Sequence, residues 1–235
     1  MSVLAWALLA WMAVDMANPL VQLTMPGGAR WSASNIAAIS TRWAVMMAAM
    51  MLPSALPVVQ AFVRLSLQQG DGGRAFAFVA AYLLTWSAFS AVATALQWLL
   101  QSLRWVDPMI ASRSQALDIV LLLVAGVYQF SPLKRVCLAR CRTPLGFLIG
   151  DWRPGVAGAF AMGVRHGLFC LGCCWALMAL LFVGGVMNVP WVAALALAVA
   201  IEKTAPGGER IAGWLGVALL GAGAIKLATA LATAG

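Results

Sequence analysis

Charged residues are scarce in this sequence, and their scarcity excludes a soluble globular domain. Asp, Glu, Lys and Arg make up 9% of the 235 residues, against about 25% in an average soluble domain. A water-soluble chain of this length could not cover its core with so few charges. A disordered chain is excluded as well, because it needs few apolar residues and many charged ones. Nucleic acid is not an expected partner, because the 15 Lys and Arg residues occur singly between apolar runs.

Several enzyme and cofactor motifs are also missing from the sequence. It has no C-x-x-C-H motif, no phosphate-binding loop and no G-x-S-x-G motif, and its one histidine cannot supply a bis-histidine haem site. The five cysteines are an odd number and do not resemble a secreted disulfide framework. The first apolar segment lacks a basic start and a small-residue cleavage site, so we expect it to be retained as a helix. An enzyme is therefore the less favoured interpretation.

Hydrophobic residues make up 63% of the chain and fall into seven segments. Since a spanning helix needs about 20 apolar residues, they predict an all-α polytopic membrane helix bundle of about seven transmembrane helices, formed as a single domain over 1–235. The fifth segment is too long for one crossing and the sixth is short, so we expect a tilted or broken helix and a turn at 187–190. Six crossings, with the sixth segment as a re-entrant hairpin, are the alternative. The segments are 3–23, 40–63, 76–100, 115–133, 158–186, 189–202 and 211–232.

The basic residues of the loops predict the orientation of this bundle. With seven crossings, nine Lys and Arg residues fall on one side and four on the other, and the loop 131–154 carries five of the nine. Cytoplasmic loops are enriched in Lys and Arg. The expected topology therefore has the N-terminus in and the C-terminus out.

Nitrogen and sulfur donors lie together in the segment 162–178. At 100° per residue, His166, Cys170 and Cys173 fall within about 60° of one another, and Cys174 is on the adjoining side. Such soft donors suit Cu(I), zinc or an iron–sulfur centre. Cysteine also packs as a small apolar residue, but ionisable groups inside a bilayer are functional candidates by default. We therefore predict metal ligands here.

Four methionines form a second group of soft donors within the segment 42–54. Met46 with Met50, and Met47 with Met51, are i,i+4 pairs that share a helix face. Thioethers bind Cu(I) without losing a proton, although methionine is also a common filler of apolar cores. Next to a Cys/His face, we interpret Met47, Met50 and Met51 as candidate ligands.

Two further features complete the candidate site. Asp15 lies inside the first apolar segment, where it could ligate a metal, accept a proton from His166 or pair with Arg165. Counting residues along each predicted helix places Asp15, the methionines and the thiols near the bilayer midplane.

Cys137 and Cys141 are predicted as a separate, secondary thiol pair in the basic cytoplasmic loop. They could receive a soft ion or exchange disulfides, although a reducing cytoplasm keeps thiols free. Glu202 and Lys203 are interpreted as interfacial charges that end the sixth helix.

Four blocks of the sequence closely resemble a bacterial family of predicted metal-binding integral membrane proteins, catalogued as a domain of unknown function. The blocks are MMAAMMLPS, 78–90, 128–147 and 165–188. The resemblance runs from about residue 40 to the C-terminus in a consistent order. It implies a metal-binding role in the bacterial inner membrane. Its motif positions in this sequence are Met46, Met47, Met50, Met51, Cys137, Cys141, His166, Cys170, Cys173 and Cys174.

Together these features predict a soft-metal protein of the inner membrane, with Cu(I) as the expected ion and zinc or iron as alternatives. Its role would be transport of the ion or delivery to a metalloprotein. Expected partners are membrane lipids and a metal donor or acceptor protein or a larger membrane complex. Two other functions stay open: a membrane thiol–disulfide oxidoreductase that uses Cys170 and Cys173, and an accessory structural subunit whose thiols only pack.

Overall fold

The chain is helical along most of its length, as its apolar segments predict. A computed structural model describes residues 2–27, 30–68 and 70–234. The helices, in chain order, are α1 (Ser2–Val14), α2 (Pro19–Gln22), α3 (Ala33–Gln68), α4 (Gly72–Ser102), α5 (Gln115–Tyr128), α6 (Pro132–Arg142), α7 (Pro144–Asp151), α8 (Gly155–Ala179), α9 (Leu181–Gly184), α10 (Val189–Thr204) and α11 (Gly208–Ala234).

In the part of the chain that the structure describes, four stretches are long and apolar enough to cross a membrane: α3, α4, α8 together with α9, and α11. A fifth span results if α5 and α6, which meet at an angle of 65°, are counted as one bent span. Length and composition therefore support an all-α polytopic membrane protein with four or five spans. The seven crossings and their orientation stay predictions.

The first and the sixth predicted segments form helices that are too short for an upright crossing. The helix of the first segment, α1, ends at Val14. The short helix α2 follows, and the Asn18 side chain caps its start by accepting from the Leu20 amide at 3.0 Å. The sixth forms α10, which has 16 residues, fewer than the roughly 20 that an upright crossing requires. The polar turn at 15–18 and the Asn-Pro start of α2 are local signals that outweigh the hydrophobicity of the first segment.

The long fifth segment, predicted to be tilted or broken, forms α8 and α9, which together make one apolar span. α8 ends at Ala179, α9 adds one more turn, and Gly185 adopts φ = +80°. This conformation is readily available to glycine only. The turn therefore begins at Gly185, slightly earlier than expected.

Proline at position 53 explains how α1 docks on α3. Because Pro53 has no N–H, the carbonyl of Ala49 lacks its usual helical partner. Trp6 Nε1 donates to that oxygen at 3.1 Å and Ser2 Oγ donates to it at 3.2 Å. The proline thus creates an acceptor inside α3 that positions the start of α1.

Helices α4 and α8 approach closely because glycine faces the contact. A methyl group built on Gly163 would lie less than 2.5 Å from the carbonyl oxygen of Phe78, and one built on Gly167 would lie 2.8 Å from Thr85 Cβ. Small residues allow such backbone approach between helices in lipid. This contact fixes the depth of the thiols on α8 relative to Tyr82 on α4.

We expect Gly163→Ala to lower the free energy of unfolding by about 1–3 kcal/mol, the usual cost of overpacking. The atom in the way is a backbone oxygen, so no side-chain rotation can relieve the clash. Unfolding of the full chain in detergent, followed by far-ultraviolet circular dichroism, measures the change. Gly221→Ala on α11 is the matched control, because no atom lies within 4 Å of the added methyl group; equal stability of the two variants would contradict the expectation.

Candidate metal centre

Four thiols lie near one another where α6 packs against α8. Cys170, Cys173 and Cys174 are buried on one side of α8, and the Cys141 thiol on α6 is a neighbour of Cys170 and Cys173. Cys173 Sγ and Cys174 Sγ donate to the carbonyl oxygen of Cys170 at 3.1 and 2.9 Å. We call Cys141, Cys170, Cys173 and Cys174 the thiol cluster. It contains no disulfide.

Of the two cysteines predicted as a secondary thiol pair on α6, Cys141 lies beside the thiols of α8. Cys137 lies one turn away, directly against Gly172, where an added methyl group would be 2.6 Å from its sulfur. Ser131 caps the start of α6 by accepting from the Lys134 amide at 3.1 Å, and Pro132 occupies the first turn. This Ser-Pro start turns the chain at the end of α5 and directs α6 onto α8.

Helix α3 supplies a thioether to the same place. Cys174 Sγ lies 3.8 Å from Met51 Sδ, so the sequence-predicted convergence of thiols and methionines occurs at Met51. Met47 and Met50 are also fully buried on α3, one turn and one residue from Met51 respectively.

A buried lysine lies in the middle of these sulfur atoms. Lys203 Nζ, at the end of α10, is 2.9 Å from Cys170 Sγ, 3.2 Å from Ser54 Oγ and 4.0 Å from Met51 Sδ. The Tyr82 hydroxyl lies 3.1 Å from Cys170 Sγ and donates to the Met51 carbonyl at 3.3 Å. A buried ammonium group requires a negative partner, and the Cys170 sulfur, 2.9 Å away, is the nearest atom that can carry that charge.

The sequence analysis missed Lys203, Tyr82 and Ser54. It assigned Glu202 and Lys203 to a membrane interface, but only 1% and 5% of these residues is exposed. Glu202 pairs with Lys134 on α6 at 2.7 Å, while Lys203 contacts the thiol cluster. Two adjacent charges at the end of an apolar run were the available signal, because ionisable residues at such depth are functional candidates.

His166 lies one turn before Cys170 and is enclosed by aromatic rings. Its ring centroid is 5.6 Å from that of Tyr82, 5.1 Å from that of Phe147 and 6.1 Å from that of Phe78. Its Nδ1 atom is buried and has no hydrogen-bond partner among the residues that the structure describes. The imidazole is thus a neighbour of the thiol cluster through Tyr82 rather than a member of it.

Asp15 is placed differently from the prediction. It lies in the half-buried turn after α1, and its carboxylate accepts a hydrogen bond from Asn18 Nδ2 at 3.2 Å. Arg165, its proposed partner, pairs with Asp151 instead. Within the described ranges no hydrogen bond or ion pair joins Asp15 to the thiol cluster, and α1 ends at Val14, before the aspartate.

No three His, Cys, Asp or Glu side chains are arranged around a common point for a metal ion in residues 2–27, 30–68 and 70–234. The donors that do approach each other are two kinds of sulfur, a thiol and a thioether. Thiols and thioethers together are the ligand types that select Cu(I) over harder ions.

A family model of copper chaperones, named PpoB2, matches residues 40–226. The chain belongs to the PpoB2 copper chaperone family. The match covers most of the chain, including all of the thiol cluster, Met51 and Lys203, and it makes copper the metal to consider first. The earlier resemblance to metal-binding proteins of unknown function agrees with this family in its metal-related role. No curated protein and no solved structure matches the chain.

Membership of the copper chaperone family gives the buried sulfurs a chemical interpretation. A chaperone must bind its ion and also release it, which favours ligands that can exchange. The matched region begins at residue 40, so Asp15 lies outside it, whereas every sulfur of the thiol cluster lies inside.

Proposed function

We propose that this chain is an integral membrane carrier of Cu(I) that binds the ion inside the helix bundle and delivers it to a copper-requiring protein. The observation that supports this proposal most directly is the 3.8 Å approach of Cys174 Sγ to Met51 Sδ. It joins a thiol of α8 to a thioether of α3 beside two further thiols. We assign Cys170, Cys174 and Met51 as the primary ligands, with copper as cargo rather than a resident cofactor.

The remaining donors have supporting roles in this proposal. Cys173 and Cys141 lie next to Cys170 and offer thiols onto which the ion can exchange. His166 is a candidate additional ligand, because a buried Nδ1 atom without a partner is costly and a metal ion would relieve that cost. Met50 lies one residue from Met51 and is a candidate thioether ligand.

The proposed setting is the bacterial inner membrane, in keeping with the apolar helices and with the basic loops, which are typical of the cytoplasmic side. The proposed partners are a protein that supplies Cu(I) and one that receives it, either free or within a larger membrane complex. The buried position of the thiol cluster means that a partner must act through movement of α6 or α10, since none of the five cysteines is exposed.

Copper retention by the purified full chain tests this function. After anaerobic loading with Cu(I) in detergent and removal of free ion, mass spectrometry should find clearly less copper on Cys170→Ser/Cys174→Ser than on the wild type, because the tight binding at the thiols is lost. His166→Ala should retain copper with lower affinity. Cys137→Ser is the matched control and should retain it fully, because Cys137 faces Gly172. Equal, negligible copper on all four proteins would refute the proposal.

The oxidoreductase alternative has less support. Thiol–disulfide exchange requires that an attacking thiolate reach the disulfide, but all five thiols are buried and unpaired. Differential alkylation would favour this alternative if it revealed a reversible Cys170–Cys173 disulfide in protein that binds no copper. An accessory structural subunit would instead tolerate every cysteine replacement and co-purify with partners in fixed proportion.

A further inference from the structure

Two contacts define how α3 lies against α8 and its continuation α9. Cys174 Sγ meets Met51 Sδ at 3.8 Å, and the rings of Phe182 and Trp43 lie 5.5 Å apart between centroids. From the first contact to the second, the residue number rises along α8 and α9 and falls along α3. The two stretches therefore run antiparallel. The contacts are separated by two helical turns on each side.

Met47 and Met178 lie halfway between these two contacts. Met47 is one turn from both Met51 and Trp43, and Met178 is one turn from Cys174 and about one turn from Phe182. Residues four apart share a helix face, so this register places the two thioethers opposite each other. Met47 is 0% exposed and Met178 is 1% exposed, and both belong to the same buried cluster as the thiols.

We propose that Met47 and Met178 form a second, thioether-only binding site for Cu(I), one helical turn from the thiol cluster. This inference rests on the proposed function and extends it, because Met178 belongs to none of the ligands assigned above. Thioethers bind Cu(I) without losing a proton and discriminate against harder ions. The ion would therefore stay positively charged at this site, and its binding would be weaker than at the thiols.

The aromatic pair beyond the two methionines supports a cation at this position. Trp43 and Phe182 lie one turn further along the two helices, on the side away from the thiol cluster, and Trp43 Nε1 donates to Gln97 Oε1 at 2.8 Å. The faces of tryptophan and phenylalanine rings attract cations. The site would thus have soft donors at its centre, an aromatic boundary at one end and the thiol cluster at the other.

The chain provides a matched control for the packing role of these methionines. Met162 lies two turns before Cys170 on α8, as Met178 lies two turns after it, and it is also 1% exposed. Its surroundings are Phe62, Phe78 and Phe147 in a second buried cluster. Methionine-to-leucine exchange keeps volume and usually costs less than about 1.5 kcal/mol, so these variants should fold.

Anaerobic titration of the full chain with Cu(I), with retained copper counted by mass spectrometry, tests the second site. We expect wild type and Met162→Leu to bind a tight and a weaker equivalent, and Met47→Leu/Met178→Leu to lose only the weaker one. Retention of the weaker equivalent by the double leucine variant, or its equal loss from Met162→Leu, overturns the proposal. So does a wild type that binds only the tight equivalent.

The same titration separates this proposal from the proposed function. In Cys170→Ser/Cys174→Ser we expect the tight equivalent to disappear and the weaker one to remain, with thioether sulfur around copper in its X-ray absorption spectrum. If the wild type lacks the tight equivalent but keeps the weaker one, the thiol site fails and the methionine site stands. If the serine variant binds no copper while wild type binds two equivalents, the two sites are not separate and the proposal fails.

Discussion

Replacement of Lys203 by methionine should lower the affinity of the full chain for Cu(I) by about a hundred- to a thousandfold. The reason is charge balance in a buried site. One Cu(I) ion held by the thiolates of Cys170 and Cys174 carries a net negative charge, which the Lys203 ammonium neutralises from 2.9 Å. Two unit charges about 4 Å apart interact by about 4 kcal/mol at an effective dielectric constant of 20, and about 1.4 kcal/mol corresponds to a tenfold change in affinity.

Competition with a chelator of known Cu(I) affinity measures this change. Lys226→Met is the matched control, because Lys226 is a half-exposed lysine on α11 that pairs with Asp118 on α5. Exposed ion pairs contribute little, so copper affinity should stay as in wild type for that variant. Unchanged or tighter binding by Lys203→Met would show that the ammonium competes with the ion or does not act on it.

The donor-bearing faces of α3 and α8 could be predicted because helical periodicity is a local property. Spacing alone placed Cys170, Cys173 and Cys174 within one helix face and Met51 on a methionine-rich face. The structure brings Cys174 and Met51 together. Their role as copper ligands stays a prediction, which the family supports through its copper-related function.

The placement of Cys141 and Lys203 could not be predicted, since it depends on which helices pack together. The position of Cys141 follows from the 65° bend between α5 and α6. The position of Lys203 follows from the contact of α10 with α3, which no periodicity indicates. A hydrophobicity profile treats both residues as part of basic loop ends.

Asp15 shows the opposite error, in which composition was given too much weight. Its apolar neighbours suggested a spanning helix, but α1 ends at Val14. Asn18 and Pro19 then start a new helix with a side-chain cap. Capping signals in the sequence were therefore better guides to this boundary than the mean hydropathy of the segment.

Loss of the Glu202 carboxylate should destabilise the fold more than the other substitutions considered above. Lys134 Nζ lies 2.7 Å from Glu202 Oε2, Gln129 Nε2 donates to Oε1 at 2.9 Å, and the two charged side chains are 1% and 2% exposed. Glu202→Gln leaves the Lys134 ammonium buried without a counterion. Breaking one partner of a buried pair typically costs about 3–5 kcal/mol, which unfolding of the full chain in detergent would measure.

The same ion pair joins α6 to α10, so its loss should also disturb the metal centre. Glu202 precedes Lys203, and Lys134 lies two turns before Cys141, so the ion pair holds the two helices that contribute these groups. We expect Glu202→Gln to lose stability and retained copper together, while the exposed Glu209→Gln keeps both. Replacing both partners, as Lys134→Met/Glu202→Leu, should restore most of the stability, because no buried charge is left unpaired. A double variant as unstable as Glu202→Gln would show that the cost arises from packing rather than from the uncompensated ammonium.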